Sequence, residues 1–296
     1  MKELGRLITA MVTPFDEKRE VDYEQAKKLA LALIASGSDG VLVVGTTGES
    51  PTLVRAEEYR LFREIKAVVG DKGTVIAGTG SNSTAEALVA TREAEKIGVD
   101  ACLLVVPYYN KPPQEGLYQH FKTVAESTSL PCIMYNVPSR TVVNMTADTV
   151  IRLSKIDNII GVKEASGNFE QIAKIIQETD DDFFVWSGND TDTFPIMALG
   201  GYGIISVASH VVGKQIKQMI DSFINGKIAE AAAIHRRLLP LVNALFIISN
   251  PIPVKYAVNQ VGFRVGRTRL PLTEPDEKTA AIIKDTLKNY TIDLPV

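Results

Sequence analysis

The chain has 296 residues, of which 45% are hydrophobic and 23% charged, so it is long enough to bury a sizeable core in one or two domains. Its formal net charge is -3 and no stretch carries a run of one sign, which argues against nucleic acid or an anionic membrane as a partner. No window approaches the roughly 20 apolar residues of a membrane span, and the start of the chain, from Met1, lacks the apolar core of a signal peptide. We therefore expect a cytoplasmic protein, and a small anionic ligand is left open.

Short apolar runs rich in β-branched residues alternate with segments of helical period along the first two thirds of the chain. Eight such runs begin near Leu7, Val41, Val75, Ala101, Cys132, Ile159, Phe183 and Gly203. Each gap is long enough for one helix and two short loops, an alternation typical of βα units around a parallel sheet. Eight units predict an α/β fold of the closed (β/α)₈ barrel type.

A doubly wound open sheet is the competing architecture. It would bind a nucleotide at a glycine-rich first βα turn. The turn after the first predicted strand is Thr13-Pro14-Phe15-Asp16, which cannot cradle a pyrophosphate. The barrel is therefore the favoured interpretation.

After Ser209 the strand pattern stops and helical periodicity continues to about Tyr290. We predict helices over residues 214–225, 227–246, 251–261 and 274–289. This tail is too short for a second barrel. The predicted organisation is a catalytic barrel over residues 1–213 and a C-terminal helical extension over residues 214–296 that packs against it.

One predicted strand, Ile159–Lys163, is apolar until it ends on a lysine. Taking an unpaired charge out of water costs several kcal/mol, so a lysine at the end of a buried strand requires a physical explanation. It could reach solvent or pair with Glu164. Alternatively, its amine is kept partly deprotonated in a dry pocket, where it could attack a carbonyl and form a Schiff base.

Polar residues collect at the carboxyl ends of the other predicted strands, where barrel enzymes carry their reactive groups. Strand two ends at residues 45–50 and strand five at residues 135–140. Side-chain alternation along a strand turns Thr46, Tyr135 and Lys163 toward the barrel interior. Imine formation needs a group that shuttles protons, and a tyrosine hydrogen-bonded to another hydroxyl can do this. Tyr135 and Thr46 are the candidate relay.

Other reaction classes lack their residues in this sequence. His120, His210 and His235 are scattered in helical segments or after strand eight, so they are interpreted as structural. Cys102 and Cys132 lie in apolar strand patterns and are predicted to be buried, inert thiols. There is no cluster of metal ligands and no GxSxG elbow. The remaining candidate chemistry is the reaction of a lysine amine with a carbonyl group.

Four motifs together resemble the dihydrodipicolinate synthase family, within the pyruvate-dependent Schiff-base lyases on the (β/α)₈ fold. They are GTTGES from Gly45, PYYNKP from Pro107, YNVPSRT from Tyr135 and GVKEASG from Gly161. The similarity covers essentially the full length. It implies condensation of pyruvate with L-aspartate 4-semialdehyde to 4-hydroxy-tetrahydrodipicolinate, in diaminopimelate and lysine biosynthesis. It also implies no metal or organic cofactor, because the lysine itself is the electron sink.

The same resemblance implies a role for particular residues. Lys163 would form the imine with pyruvate, and Tyr135 would be the general acid/base. Thr46 would link Tyr135 to Tyr109, which in the family crosses a dimer interface, so a homodimer or homotetramer is expected. The implied substrate contacts are Thr47 with the pyruvate carboxylate, Arg140 with the carboxylate of the second substrate, and the main chain of Gly188 and Ile205.

An effector pocket is also implied, comprising Ser50, Asn82, Glu86 and Tyr108. Members of the family that lysine inhibits often carry His at the positions of Arg55 and Glu58, so the sequence leaves feedback by lysine open. Two other functions are left open as well. One is a related sugar-acid aldolase that uses the same imine with a different aldehyde, and the other is a non-catalytic barrel that serves as a ligand-binding or scaffold protein.

Overall fold

The eight strands form one closed barrel in which hydrogen-bonded neighbours follow chain order. The computed structural model describes residues 4–296. The expectation that the start of the chain lacks a signal peptide also concerned residues 1–3, which lie outside the described residues. The predicted (β/α)₈ barrel is confirmed. The strands are β1 Leu7–Ala10, β2 Gly40–Val43, β3 Thr74–Gly78, β4 Ala101–Val105, β5 Cys132–Asn136, β6 Ile159–Glu164, β7 Phe184–Ser187 and β8 Gly203–Ser206.

Helices occupy the segments between the strands and the chain after β8, so the predicted helical extension is confirmed too. Within residues 4–296, no helix has the length and apolarity that crossing a membrane requires. The α-helices are α1 Tyr23–Ala35, α2 Arg55–Val69, α3 Thr84–Ile97, α4 Gln114–Ala125, α5 Pro138–Thr141, α6 Ala147–Leu153, α7 Phe169–Glu178, α8 Thr193–Ala198, α9 Ser209–Ile224, α10 Ile228–Leu245, α11 Ile252–Gln260 and α12 Glu277–Leu287.

Side-chain caps explain why several helices begin where they do. Asp22, Ser83, Asn168 and Asp276 each accept a hydrogen bond from the backbone N–H three residues further on, which satisfies one of the free donors of a helix N-terminus. In the sequence, Asp22, Ser83 and Asn168 each precede a segment of helical period. The predicted start of α9, at residue 214, is too late, because the apolar pair before Gly213 gave no cap signal; the helix begins at Ser209 and is interrupted at Val212.

The chain divides into two compact units. The first, here called the lysine unit, comprises residues 4–6 and Ile76–Ile205 and carries Lys163. The second, here called the threonine unit, comprises Leu7–Val75 and Ser206–Val296 and carries Thr46 and Thr47. The sequence-based boundary between residues 213 and 214 stays a prediction.

Close packing of β6 against β7 fixes the strand that carries Lys163. A Cβ atom at Gly161 would lie 2.2 Å from the carbonyl oxygen of Phe184, so only glycine fits there. The neighbouring Trp186 is buried, and its Nε1 atom donates to the carbonyl oxygen of Gly5 at 3.1 Å. Burial of each large apolar side chain, such as Phe121, contributes roughly 1.5–3 kcal/mol.

Candidate active site

In the lysine unit, Tyr135 on β5 and Lys163 on β6 are register partners. Register partners on adjacent strands present their side chains on the same face of the sheet. The Nζ atom of Lys163 lies 4.4 Å from the centroid of the Tyr135 ring, and both residues are buried, with Lys163 only 5% exposed. The structure therefore brings together the two residues that the sequence singled out for imine chemistry.

Burial dominates the ionisation of the lysine. It lowers the pKa of Lys163 from 10.5 to about 7, while the negative charge of Asp190 opposes the shift and the positive charge of Arg140 adds to it. The face of an aromatic ring also favours an ammonium group, but loss of hydration outweighs this attraction. The amine is therefore partly uncharged at neutral pH, whereas an exposed lysine is almost entirely protonated.

Burial acts on the tyrosine in the opposite sense, because the charged form of a phenol is the anion. It raises the pKa of Tyr135 to about 12, with Arg140 opposing the shift and Glu164 adding to it. Tyr135 is therefore protonated at neutral pH and can donate its proton to an oxygen that leaves as water.

Glu164 is buried on the opposite face of β6 from Lys163, since neighbouring residues alternate along a strand. Its carboxyl group accepts from Nδ2 of Asn136, at 3.1 and 3.2 Å, and from the backbone N–H of Ser166, at 2.8 Å. Burial nevertheless raises its pKa. The bonds hold the ends of β5 and β6 together beside the Tyr135–Lys163 pair, so Glu164 braces the strands rather than pairing with Lys163. Sequence reasoning missed this brace.

Three other expected substrate contacts belong to the lysine unit: Arg140, Gly188 and Ile205. Arg140 lies exposed in α5, which follows β5, and its charge acts on both Tyr135 and Lys163. The N–H of Gly188 donates to the carbonyl oxygen of Glu164 at 2.7 Å, so a main-chain contact with a ligand would use the Gly188 carbonyl. A Cβ at Gly188 would lie 2.6 Å from the Ala165 Cβ, which explains the glycine. Ile205 is buried in β8.

The loop after β4 carries two exposed tyrosines. Tyr109 is 90% exposed and has a left-handed backbone with φ of 72°, while Tyr108 is less exposed. Among the residues expected at an effector pocket, the carbonyl oxygen of Asn82 accepts from Asn110 Nδ2 at 2.8 Å, and Glu86 Oε2 accepts from Ser81 Oγ at 2.9 Å.

In the threonine unit, the loop between β2 and α2 carries Thr46 and Thr47 on a tightly turned backbone. Val44 and Glu49 have left-handed φ angles of 61° and 58°, and Thr13 Oγ1 donates to the carbonyl oxygen of Gly48 at 2.6 Å. Thr46 and Ser50, the remaining effector candidate, are partly buried. Arg55 and Glu58, further along, form an ion pair of 2.7 Å with each other.

The side chain of Thr47 is buried and contacts the C-terminal region of the chain. Its Oγ1 atom accepts a hydrogen bond of 2.9 Å from Nδ2 of Asn250, just before α11. Sequence reasoning did not single out Asn250, and no local pattern marks it.

A buried ion pair holds the same loop. Nζ of Lys255 lies 2.6 Å from Oε1 of Glu49, and neither side chain is more than 2% exposed. The backbone N–H of Arg269 donates to the other Glu49 oxygen at 2.9 Å. Burial lowers the pKa of Lys255 to about 8, with the Glu49 charge opposing the shift. Sequence reasoning missed this pair, although a lysine inside the apolar pattern of α11 was a signal.

Both cysteines and two of the three histidines expected to be structural are in environments that suit this role. Cys102 and Cys132 are buried free thiols, and burial raises the pKa of Cys102 to about 12. Burial lowers the pKa of His120 and of His210 to about 4, so both rings are neutral at pH 7. Within residues 4–296, no group of three or more His, Cys, Asp or Glu side chains is arranged to hold a metal ion.

The whole chain is similar to known proteins of one family. The model of the dihydrodipicolinate synthetase family matches residues 3–290. A 4-hydroxy-tetrahydrodipicolinate synthase of Dehalococcoides mccartyi is 68% identical over 296 residues, covering 100% of both chains. The synthase of Moorella thermoacetica is 54% identical over 286 residues, covering 95% of this chain and 98% of that protein.

Solved structures agree with these relatives. The crystal structure of the dihydrodipicolinate synthase of Bacillus anthracis matches with a TM-score of 0.96 and 46% identity, covering 98% of this chain and 99% of that chain. The synthase of Cyanidioschyzon merolae, solved with lysine bound, matches with a TM-score of 0.95 and 49% identity, covering 97% and 98%. A monomeric variant of a dihydrodipicolinate synthase matches with a TM-score of 0.94 and 42% identity, covering 96% of each.

Proposed function

The chain belongs to the dihydrodipicolinate synthetase family, and we propose that Lys163 is the nucleophile on which its reaction takes place. The protein is a lyase that condenses pyruvate with L-aspartate 4-semialdehyde to 4-hydroxy-tetrahydrodipicolinate, in diaminopimelate and lysine biosynthesis. The observation that carries the assignment of Lys163 is its burial beside Tyr135 with a pKa of about 7.

The first stage is formation of the imine. The uncharged Nζ atom of Lys163 attacks the keto carbon of pyruvate, and the carbonyl electron pair moves to oxygen. A proton then moves from the nitrogen to that oxygen, which gives the neutral carbinolamine. Tyr135 donates a second proton to the same oxygen, which leaves as water while the nitrogen lone pair forms the C=N bond. Thr46 and Tyr109 are proposed as members of the proton relay that restores the phenol, a role assigned by family resemblance.

The second stage forms the new carbon–carbon bond. Loss of a proton from the methyl group of the imine gives an enamine, whose carbon attacks the aldehyde of the second substrate. The amine of that substrate then displaces Lys163 from the imine carbon, closing the ring and freeing the enzyme. We assign the carboxylate of the second substrate to Arg140, because a guanidinium binds a carboxylate through two parallel hydrogen bonds. Thr47 is assigned to the pyruvate carboxylate, with Gly188 and Ile205 as main-chain contacts.

Borohydride reduction in the presence of pyruvate tests the central assignment. Hydride converts the imine to a stable secondary amine, so mass spectrometry of the digested protein should find the reduced pyruvyl group on the peptide that contains Lys163. The Lys163→Met variant should give no adduct and no turnover. Lys255 is an internal control, because it is also a buried lysine with a lowered pKa. An adduct on Lys255, or an unmodified wild-type protein that turns over, overturns the assignment.

We propose that the protein forms a homodimer or homotetramer. Support comes from large apolar side chains that are exposed on the lysine unit: Tyr109, Val142, Phe169 and Leu199. The family resemblance assigns Tyr109 to a dimer interface, where its exposed ring would be covered. Sedimentation velocity should find a species at least twice the mass of the chain, and a monomer at micromolar concentration contradicts the proposal.

We also propose a cytoplasmic location, which the two free thiols of Cys102 and Cys132 support, because such thiols are typical of a reducing compartment. Cell fractionation with a specific antibody should recover the protein with cytoplasmic markers, and recovery with an exported fraction would contradict this.

A further inference from the structure

A side chain from the C-terminal region contacts the hydroxyl group assigned to the pyruvate carboxylate. Nδ2 of Asn250 donates to Oγ1 of Thr47 over 2.9 Å, and both residues are buried. The two residues are 203 positions apart in the chain.

The direction of this hydrogen bond matters for an anionic ligand. A hydroxyl group has one proton to donate and two lone pairs to accept with, whereas the amide NH₂ group only donates. When Asn250 occupies a lone pair of Thr47, the hydroxyl proton points away from Asn250. It is then available to a carboxylate, which only accepts.

We propose that Asn250 is a positioning residue for keto-acid binding: it fixes the rotation of the Thr47 hydroxyl so that the proton is presented to the pyruvate carboxylate. This inference rests on the proposed role of Thr47. It gives the C-terminal region a part in recognition of the first substrate.

Three further contacts hold the same loop, so its backbone does not depend on Asn250 alone. Glu49, two residues after Thr47, pairs with Lys255 at 2.6 Å and accepts from the backbone of Arg269 at 2.9 Å. Thr13 Oγ1 donates to the Gly48 carbonyl oxygen at 2.6 Å. With the backbone held in this way, loss of the Asn250 amide changes the rotation of one hydroxyl rather than the course of the loop.

Two substitutions at position 250 separate positioning from mere packing. Asn250→Ala removes the donor and leaves the Thr47 hydroxyl free to rotate. Asn250→Asp keeps the shape of the side chain but reverses its role, because a carboxylate accepts the Thr47 proton and places a negative charge beside the binding site for an anion. The proposal therefore predicts the lowest apparent KM for pyruvate in wild type, a higher KM in Asn250→Ala and the highest KM in Asn250→Asp.

Steady-state kinetics provide the measurement. Asn250→Ala should raise the KM for pyruvate roughly 2- to 12-fold, the range for loss of one neutral hydrogen bond. Its kcat should stay within about twofold, and its KM for L-aspartate 4-semialdehyde should not change. Asn250→Asp should raise the pyruvate KM further. An Asp variant with the wild-type pyruvate KM would mean that position 250 accepts from Thr47, which overturns the proposal.

Circular dichroism and thermal melting establish that each variant is folded, and Asn158→Ala serves as a matched control. Asn158 is an amide whose Nδ2 donates to the backbone carbonyls of Ala125, Thr128 and Leu130, so its loss should lower Tm without changing the pyruvate KM. If Asn250→Ala also changes only Tm, Asn250 is structural and the inference fails.

A double-mutant cycle with Thr47→Val is the second test, because valine has no hydroxyl for Asn250 to orient. In that background Asn250→Ala should leave the pyruvate KM unchanged, and additive effects of the two changes overturn the proposal. Borohydride trapping with wild type separates this inference from the proposed function. A wild-type protein without the Lys163 adduct refutes the assignment of Lys163, whereas a trapped wild type with an Asn250 variant of equal pyruvate affinity refutes the inference alone.

Discussion

Lys163 and Tyr135 face each other across the β5–β6 register, with the Nζ atom 4.4 Å from the ring centroid. The ring and the charge of Asp190 favour an ammonium group at this position, while burial and the charge of Arg140 favour the free amine. Burial is the largest of these effects. The result is an amine that is partly uncharged at neutral pH, beside a phenol that remains protonated.

The pH dependence of imine formation follows from these two ionisations. The rate of borohydride trapping with pyruvate should rise with pH through an inflection near 7, where Lys163 loses its proton. Tyr135, with a pKa of about 12, should not titrate in this range. An inflection near 10, typical of an exposed lysine, would contradict the burial argument.

The same ionisation affects stability. Because the pKa of Lys163 is lower in the folded protein than in the unfolded chain, the unfolded chain binds more protons between about pH 7 and 10.5. The contribution of Lys163 to the free energy of unfolding therefore increases with pH in this window and is constant below it. Denaturant unfolding of wild type and Lys163→Met at pH 7 and pH 9 should show wild type gaining relative to the variant at the higher pH.

Asp190→Asn should shift the trapping inflection to lower pH. The carboxylate of Asp190 raises the pKa of Lys163, and the amide is nearly the same size but uncharged. Measurement of the trapping rate from pH 5 to 9 checks this shift. A shift to higher pH would show that Asp190 does not act through its charge.

Tyr135→Phe should reduce kcat by about 100-fold or more, in line with typical contributions of general acid/base groups. The fold should be intact, because phenylalanine keeps the ring that packs beside Lys163. Turnover near the wild-type rate would remove Tyr135 from the mechanism. Thr46→Val should also reduce kcat if Thr46 belongs to the proton relay.

Arg140→Ala should raise the KM for L-aspartate 4-semialdehyde far more than the KM for pyruvate, because only the second substrate is assigned to its guanidinium. Arg140→Lys should be intermediate, since an ammonium lacks the planar fork. Equal effects on both substrates would count against the assignment. Assays with sugar-acid aldehydes in place of the semialdehyde test the related aldolase activity.

Lys255→Met should destabilise the protein by about 3–5 kcal/mol, because it leaves the carboxylate of Glu49 buried without its partner. Combining it with Glu49→Gln should recover part of this loss, since glutamine is uncharged and its side-chain oxygen can still accept from the backbone of Arg269. Denaturant unfolding of the two variants and of wild type measures the difference. A double variant less stable than Lys255→Met would show that the ion pair is not the source of the effect.

Local patterns in the sequence determined the barrel and singled out the candidate catalytic pair. Strand and helix periodicity, together with caps such as Ser83 and Asn168, depends on neighbouring residues, so the eight βα units could be counted without a structure. Strand alternation also placed Lys163 and Tyr135 on the same face, and the motifs around them predicted the family.

Only the tertiary structure decided what surrounds those groups. The contacts of Asn250 with Thr47 and of Lys255 with Glu49 join residues 203 and 206 positions apart, and the bonds from Glu164 to β5 depend on the register of two strands. The pKa of Lys163 likewise depends on how completely the folded chain excludes water from one amine. No periodicity encodes such contacts, because they arise when distant segments pack together and remove polar groups from water.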